Sequence, residues 1–266
     1  DGFALPYGDV AVGSWRNAPY VVIQNVGSYL DLPRFMDSTH PLEDGDDADA
    51  FTARLEAIPT ALAGELERMQ AARAMGVIPP GFLLDKAEAA MVTTLKSAMA
   101  GQLFAEPLRA RSKAKGLVET WANRARTLET GPIAVALERQ LAELRTARSR
   151  AGNDAGMWAQ PRGDEWYGWA LRASTTTAMS ADEVHRQGLR ELDELHARMD
   201  PILREIGYTQ GTVGARMQAL SADPRYKFAE GDPGRKEIMD FIWERVNWIR
   251  AQMPRAFNTL VDPKLE

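Results

Sequence analysis

The chain has no cysteine, which excludes disulfides, thiolate zinc sites and cysteine nucleophiles. It has no unbroken apolar run of about 18 residues, the length a membrane-crossing helix needs. Lysine is scarce: seven of the 32 basic residues are Lys, the rest Arg, and the net charge is −5. A nucleic-acid-binding surface is therefore not expected. Histidine is scarcer still, with only His40, His185 and His196. Asp1 opens the chain without a basic n-region and an apolar h-region, so a signal peptide is expected to have been removed or never present.

What is present is a 266-residue sequence, 45% apolar and 26% charged. That suffices for one large core or two modest ones and is too apolar for a disordered tail. Residues 1–45 stand apart. They carry Pro6, Pro19, Pro33 and Pro41, four glycines before Gly45, and one β-branched run, Tyr20-Val21-Val22-Ile23. This predicts an irregular lead-in with at most one short strand. So long an opening loop needs something to pack against, which leads to the expectation that the sequence begins partway through a larger structure.

From Asp46 the pattern turns helical. Asp46-Asp47-Ala48-Asp49 offers N-cap oxygens, and Phe51, Leu55 and Ile58 follow at helical spacing. Pro59 is expected to interrupt or restart that helix. Leu62, Leu66 and Met69 continue it to Gly76. A further helix is predicted over residues 84–100, with Ala87, Met91, Leu95 and Ala98 inward and Gly101 as terminator. Residues 107–127 are basic and amphipathic, Gly131-Pro132 reads as punctuation, and residues 133–150 predict a helix ending in Arg145, Arg148 and Arg150. That cluster suits a C-terminal dipole better than an anion site. Ser180-Ala181-Asp182-Glu183 is a capping box, opening a long helix with the line His185, Leu189, Leu192, His196, Met199, Leu203, Ile206 facing inward. Asp232-Pro233 predicts the start of a last helix, striped by Ile238, Ile242, Val246, Ile249 and Met253 and widened by Trp243 and Trp248. The fold class is thus mostly α, a multi-helix array, divided into the lead-in (1–45) and a helical domain (46–266).

Chemical motifs are few. No His-Glu-x-x-His pair, Gly-x-Ser-x-Gly elbow, phosphate loop or dinucleotide fingerprint occurs. Asp182-x-x-His185 and Asp193-x-x-His196 match a ligand spacing of helical metal sites. The two histidines, however, lie eleven residues apart on one helix, or roughly 16 Å, whereas ligands sit about 2 Å from a metal. One ion cannot use both. A metalloenzyme site built on one of the two pairs, with ligands from other helices, stays open as the minor alternative. The preferred reading of each histidine is a polar spot on a packed helix, hydrogen-bonded to a neighbour, with a functional role kept open for His185 beside Thr175-Thr176-Thr177. Trp158, Trp166, Tyr167 and Trp169 surround Pro161-Arg162-Gly163. They form either the wall of a substrate groove or, the preferred reading, a clamp of that loop onto the helices.

Residues 167–189 carry a Tyr, a Leu-Arg, a Thr triplet, then Ser-Ala-Asp-Glu-Val-His and Gly-Leu. This run resembles a bacterial family catalogued as "domain of unknown function 885". Pro19-Tyr20 onward to Gly27-Ser28-Tyr29-Leu30-Asp31-Leu32-Pro33-Arg34-Phe35 resembles it too. So do Asp47-Ala48-Asp49-Ala50-Phe51, Gly76-Val77-Ile78-Pro79-Pro80, Gly156-Met157-Trp158 and Asp223-Pro224-Arg225-Tyr226. The resemblance implies a mostly helical protein of the gluzincin type, a zinc metallopeptidase-like hydrolase, often exported or lipid-anchored. Its zinc motif, of the His-Glu-x-x-x-Gly-His kind, would lie downstream of Glu266. A metal-bound water attacking with help from a helix-borne Glu is the chemistry implied for a complete relative.

No catalytic or metal-ligating residue transfers to this chain, and no cofactor is expected in it, zinc being expected in the complete protein. Tyr167, Arg172, Thr176 and His185 match the family's motif and are the candidate substrate-facing residues. The expected partners are the C-terminal catalytic half of the same protein and a peptide or small amide substrate, in a periplasmic or extracellular setting. The competing expectation is a stand-alone helical binding or scaffold module without enzymatic activity.

Overall fold

The structure, a computed structural model, describes residues 19–118 and 120–259. Residues 1–18 of the lead-in, Pro6 among them, lie outside the described residues. Those described form ten α-helices and no strand, so the all-helical fold class holds. The 20–23 run supplies only an isolated antiparallel bridge between Ile23 and Val26. Contacts divide the chain into two compact units, residues 1–181 and residues 182–266.

In the first unit, α1 (Ser28–Ser38) occupies part of the segment that composition marks as irregular. Tyr29 and Met36, seven residues apart, bury one face of it, and that face repays the bond lost at Pro33 inside the helix. Next, α2 (Gly45–Ala74) runs unbroken through Pro59, capped by Asp44, whose Oδ1 accepts from Asp47 N at 3.1 Å. The expected interruption does not occur. A proline inside a helix costs about 3 kcal/mol, whereas each large apolar side chain buried contributes roughly 1.5–3 kcal/mol. Phe51, Leu55, Ile58 and Leu62 are all buried around the break, so packing wins.

The stripe of α3 (Gly81–Met99) is Leu84, Ala87, Met91, Leu95 and Ala98, all buried. Gly101 follows at φ +73, a left-handed value that closes the helix without Cβ strain. α4 (Ala105–Ala114) and α5 (Thr120–Leu128) come next, and a π-helical turn, Glu129–Ile133, leads without a break into α6 (Ala134–Arg148). Gly131-Pro132 therefore does not stop the chain; the widened turn absorbs the missing amide of Pro132. α2 and α3 each pack on α6, around Leu137, Leu141 and Leu144. The basic end of α6 is stapled to α3 by Arg145 to Glu88 at 2.8 Å and Arg148 to Asp85 at 2.6 Å.

Two carboxylates sit where apolar residues would be expected. Glu65 accepts from Ser28 N and Ser28 Oγ, each at 3.0 Å, at the start of α1, and from Gln140 Nε2 at 2.8 Å. Glu129 accepts from Phe104 N at 2.6 Å and Ala105 N at 3.3 Å, at the start of α4. Each buried glutamate thus satisfies the free amides of a neighbouring helix and faces the positive end of its dipole. Burial pushes the Glu129 carboxyl up to about 7, against the opposing pull of its backbone donors. The last helix of the unit, α7 (Gly163–Thr175), buries Trp166 and Trp169 with Ala72 and Val77 in a second cluster.

The second unit holds α8 (Ala181–Glu205), α9 (Val213–Ala222) and α10 (Gly231–Gln252). α8 starts directly after Ser180, the expected cap position. The end of α8 is tied to α9: Arg216, 4% exposed, pairs with Asp200 and donates to Tyr208 O at 3.4 Å. Its two partner arginines, Arg204 first and then Arg216, pull the Asp200 carboxyl down to about 2. The apolar lines of the long helices are another matter. Leu192 is 47% exposed and Trp248 62%, and Leu189, Ile242 and Ile249 are exposed with them. The line expected to face inward along α8 is covered only near its end, at Leu203.

Candidate functional site

The residues of α7 divide between two faces. Trp166 and Trp169, with ring centroids 5.4 Å apart, are buried together. The loop before α7 is fixed by Gln160, which donates to Ile78 O at 3.0 Å and accepts from Ile78 N at 3.2 Å. Gly163 is the close approach that lets this happen: a Cβ there would stand 1.7 Å from Met157 O. The clamp reading of the aromatic patch therefore describes Trp166 and Trp169, while Trp158 is 70% exposed.

The opposite face of α7 lines a cleft of about 370 Å³, with Tyr167, Gly168, Leu171 and Arg172 on one side. Asp164 stands at the same face one turn earlier, and residues 178–181 form the other side. The spacing 164, 167, 168, 171, 172 is the i, i+3, i+4, i+7, i+8 repeat of a single helical face. What brings 178–181 back alongside α7 is the Thr triplet. Thr176 takes φ +56, an uncommon left-handed value for a β-branched residue. The turn is held by Thr176 N on Arg172 O at 2.8 Å and by Thr175 Oγ1 on Leu171 O at 2.8 Å. Thr175 Oγ1 also lies 3.0 Å from Thr177 Oγ1.

Of the four residues singled out from sequence, Tyr167 and Arg172 stand together in the cleft. Thr176 shapes the turn without lining the cleft, and His185 belongs to the second unit, where it is exposed on α8. Sequence reasoning missed Asp164, although its place three residues before Tyr167 on one helical face was the available signal.

The histidines do not converge. His40 is buried, with Nδ1 2.6 Å from Pro41 O and Nε2 2.8 Å from Arg54 Nη1. A neutral ring protonated on Nδ1 satisfies both contacts. His196 is exposed on α8 with His185, so neither is the partly buried polar spot expected of it. Among the described residues no three His, Asp or Glu side chains are grouped to hold a metal ion. Both nitrogens of His40 are engaged by its contacts to Pro41 and Arg54.

A family model described as "Bacterial protein of unknown function (DUF885)" matches residues 9–266. The fold is similar to a crystal structure described as "the putative lipoprotein from Colwellia psychrerythraea", with a TM-score of 0.86 and 24% identity. That similarity covers 96% of this chain and 44% of the other, so the chain spans less than half the length of the protein it matches. No functionally curated protein matches.

Proposed function

The chain belongs to the bacterial family of unknown function DUF885, and from that membership we propose that it is the helical, non-catalytic part of a zinc-dependent, peptidase-like hydrolase. In this reading the lead-in and the helical domain are one portion of a larger fold. The cleft at Tyr167 and Arg172 is one wall of the substrate site, for peptides or small amides. The metal is held by polypeptide downstream of Glu266. Export or lipid anchoring goes with this reading, supported by the description of the Colwellia psychrerythraea protein. No helix among the described residues is long and apolar enough to cross a membrane.

The observation that carries the reading is the bare apolar stripe on α8 and α10. Amphipathic helices of this length hold their place by burying that stripe, and a contiguous exposed apolar surface marks an interaction site. Cover supplied by the same polypeptide agrees with the greater length of the structural relative.

The test is to express the complete reading frame beside the 266-residue chain and to assay both against a peptide library with and without zinc. The complete protein is expected to hydrolyse a subset of peptides and to lose that activity to a chelator, while the shorter chain is inert. A complete protein that cleaves nothing with zinc present overturns the peptidase reading. A reading frame ending at Glu266 overturns the larger fold and leaves the stand-alone binding module.

A further inference from the structure

The cleft on α7 carries two charges without partners. Neither the Asp164 carboxylate nor the Arg172 guanidinium has a hydrogen bond or ion pair among the described residues. The contrast with neighbouring arginines is sharp: Arg145, Arg148 and Arg162 are each paired with a carboxylate. The Cα atoms of Asp164 and Arg172 are eight residues apart on one face, about 12 Å along the axis, and Arg172 Nη1 reaches back to 3.6 Å from the Cβ position of Gly168, one turn nearer Asp164. Both line a cleft of about 370 Å³, within the roughly 300–1,000 Å³ of small-ligand sites.

Leu171, Met179 and the ring of Tyr167 supply apolar surface between the two residues. Gly168 leaves the Arg172 side chain room to lie along the helix: a Cβ there would stand 3.6 Å from Arg172 Nη1. Neither packing nor a positive φ demands glycine at this place, although glycine inside a helix costs up to about 1 kcal/mol relative to alanine. The facing wall, 178–180, lies outside any helix.

We propose that this cleft binds a short zwitterionic peptide, its ammonium end at Asp164 and its carboxylate end at Arg172. An extended peptide rises about 3.3 Å per residue, so a peptide of two or three residues spans the shortened distance between the two charges. Arginine suits the carboxylate end because its planar fork matches a carboxylate bidentately. This inference rests on the proposed hydrolase reading for its biological sense but not for its test, which reads binding rather than turnover.

The experiment is calorimetric titration of the complete protein with trialanine, N-acetyl-trialanine, trialanine amide and free alanine. Trialanine is expected to bind, each blocked form at least fivefold more weakly, and free alanine at least tenfold more weakly. Arg172→Gln is expected to abolish the discrimination against the amide while leaving that against the acetylated peptide, and Asp164→Asn the reverse. Gly168→Leu, which puts a side chain into the cleft where Arg172 Nη1 lies, is expected to abolish binding of all four, with a circular dichroism melt checking that the helix persists. Equal binding of free and blocked peptides, or wild-type discrimination in both charge variants, overturns the proposal. Hydrolysis of peptides without these effects leaves the hydrolase reading standing and this one refuted; binding with these effects but no hydrolysis does the opposite.

Discussion

The two units use the same device, the amphipathic helix, and end in opposite states. In the first, the stripe of α3 is buried residue by residue, from Leu84 to Ala98. Even its carboxylate intruders find donors there, Glu65 and Glu129 each accepting from free amides at the start of another helix, although Glu129 Oε1 is buried without a partner among the described residues. In the second, α10 runs for 22 residues with only Gly234 buried. Nothing in residue spacing separates α3 from α10; both repeat apolar side chains every three or four positions. The difference lies in what stands opposite. An apolar stripe states that a face is to be covered, and only the partner decides whether it is.

That contrast can be broken at several points. The largest effect is expected at Trp166, which is fully buried. Trp166→Ala should cost about 3–5 kcal/mol by denaturant unfolding, and a cost under about 1 kcal/mol would mean the α7 clamp is not part of the core. Next comes Glu129. Its folded-state carboxyl titrates near 7, above its ordinary value of 4.5, so the folded state holds the proton more tightly than the unfolded one. Its contribution is complete below about pH 4.5 and is lost as the pH rises through 7, a change on the order of 3 kcal/mol. Glu129→Gln should therefore gain on wild type by that order between pH 4 and pH 8. A stability difference that stays constant across this range would show the carboxyl unperturbed. The smallest effect belongs to the surface staples: Arg148→Ala, losing an ion pair in which both partners are substantially exposed, should lower the unfolding midpoint least of the three, and less still in high salt.

The sequence made much of this fold legible, because helical periodicity and terminators are local. The α3 stripe and Gly101 needed nothing beyond spacing. Where composition misled, a tertiary term outweighed a local one. Pro33 reads as part of an irregular lead-in and Pro59 and Pro132 as breaks, yet α1 and α2 run through theirs and a π turn carries the chain past the third. Glu65 and Glu129 went unnoticed, though each lies on its helix's buried stripe: 65 between Leu62 and Met69, 129 between Ala125 and Ile133. A carboxylate on such a line is a signal for a capped neighbour, but which helix it caps is set by packing. The reading of α8 failed in the opposite sense, since inwardness was inferred from a pattern that only permits it. At the cleft, Tyr167 and Arg172 came from a motif, whereas Asp164 belongs to no motif and is defined by sharing their face.

The central claim is that the stripes of α8 and α10 are covered by further polypeptide of the same protein. Denaturant unfolding of the complete, monomeric protein carrying Trp248→Ala tests it most directly, because this side chain is 62% exposed in the chain described here. Cover predicts a loss of about 3–5 kcal/mol, the cost of emptying a buried tryptophan site. A change within about 0.5 kcal/mol, the ordinary range for a surface residue, would contradict it.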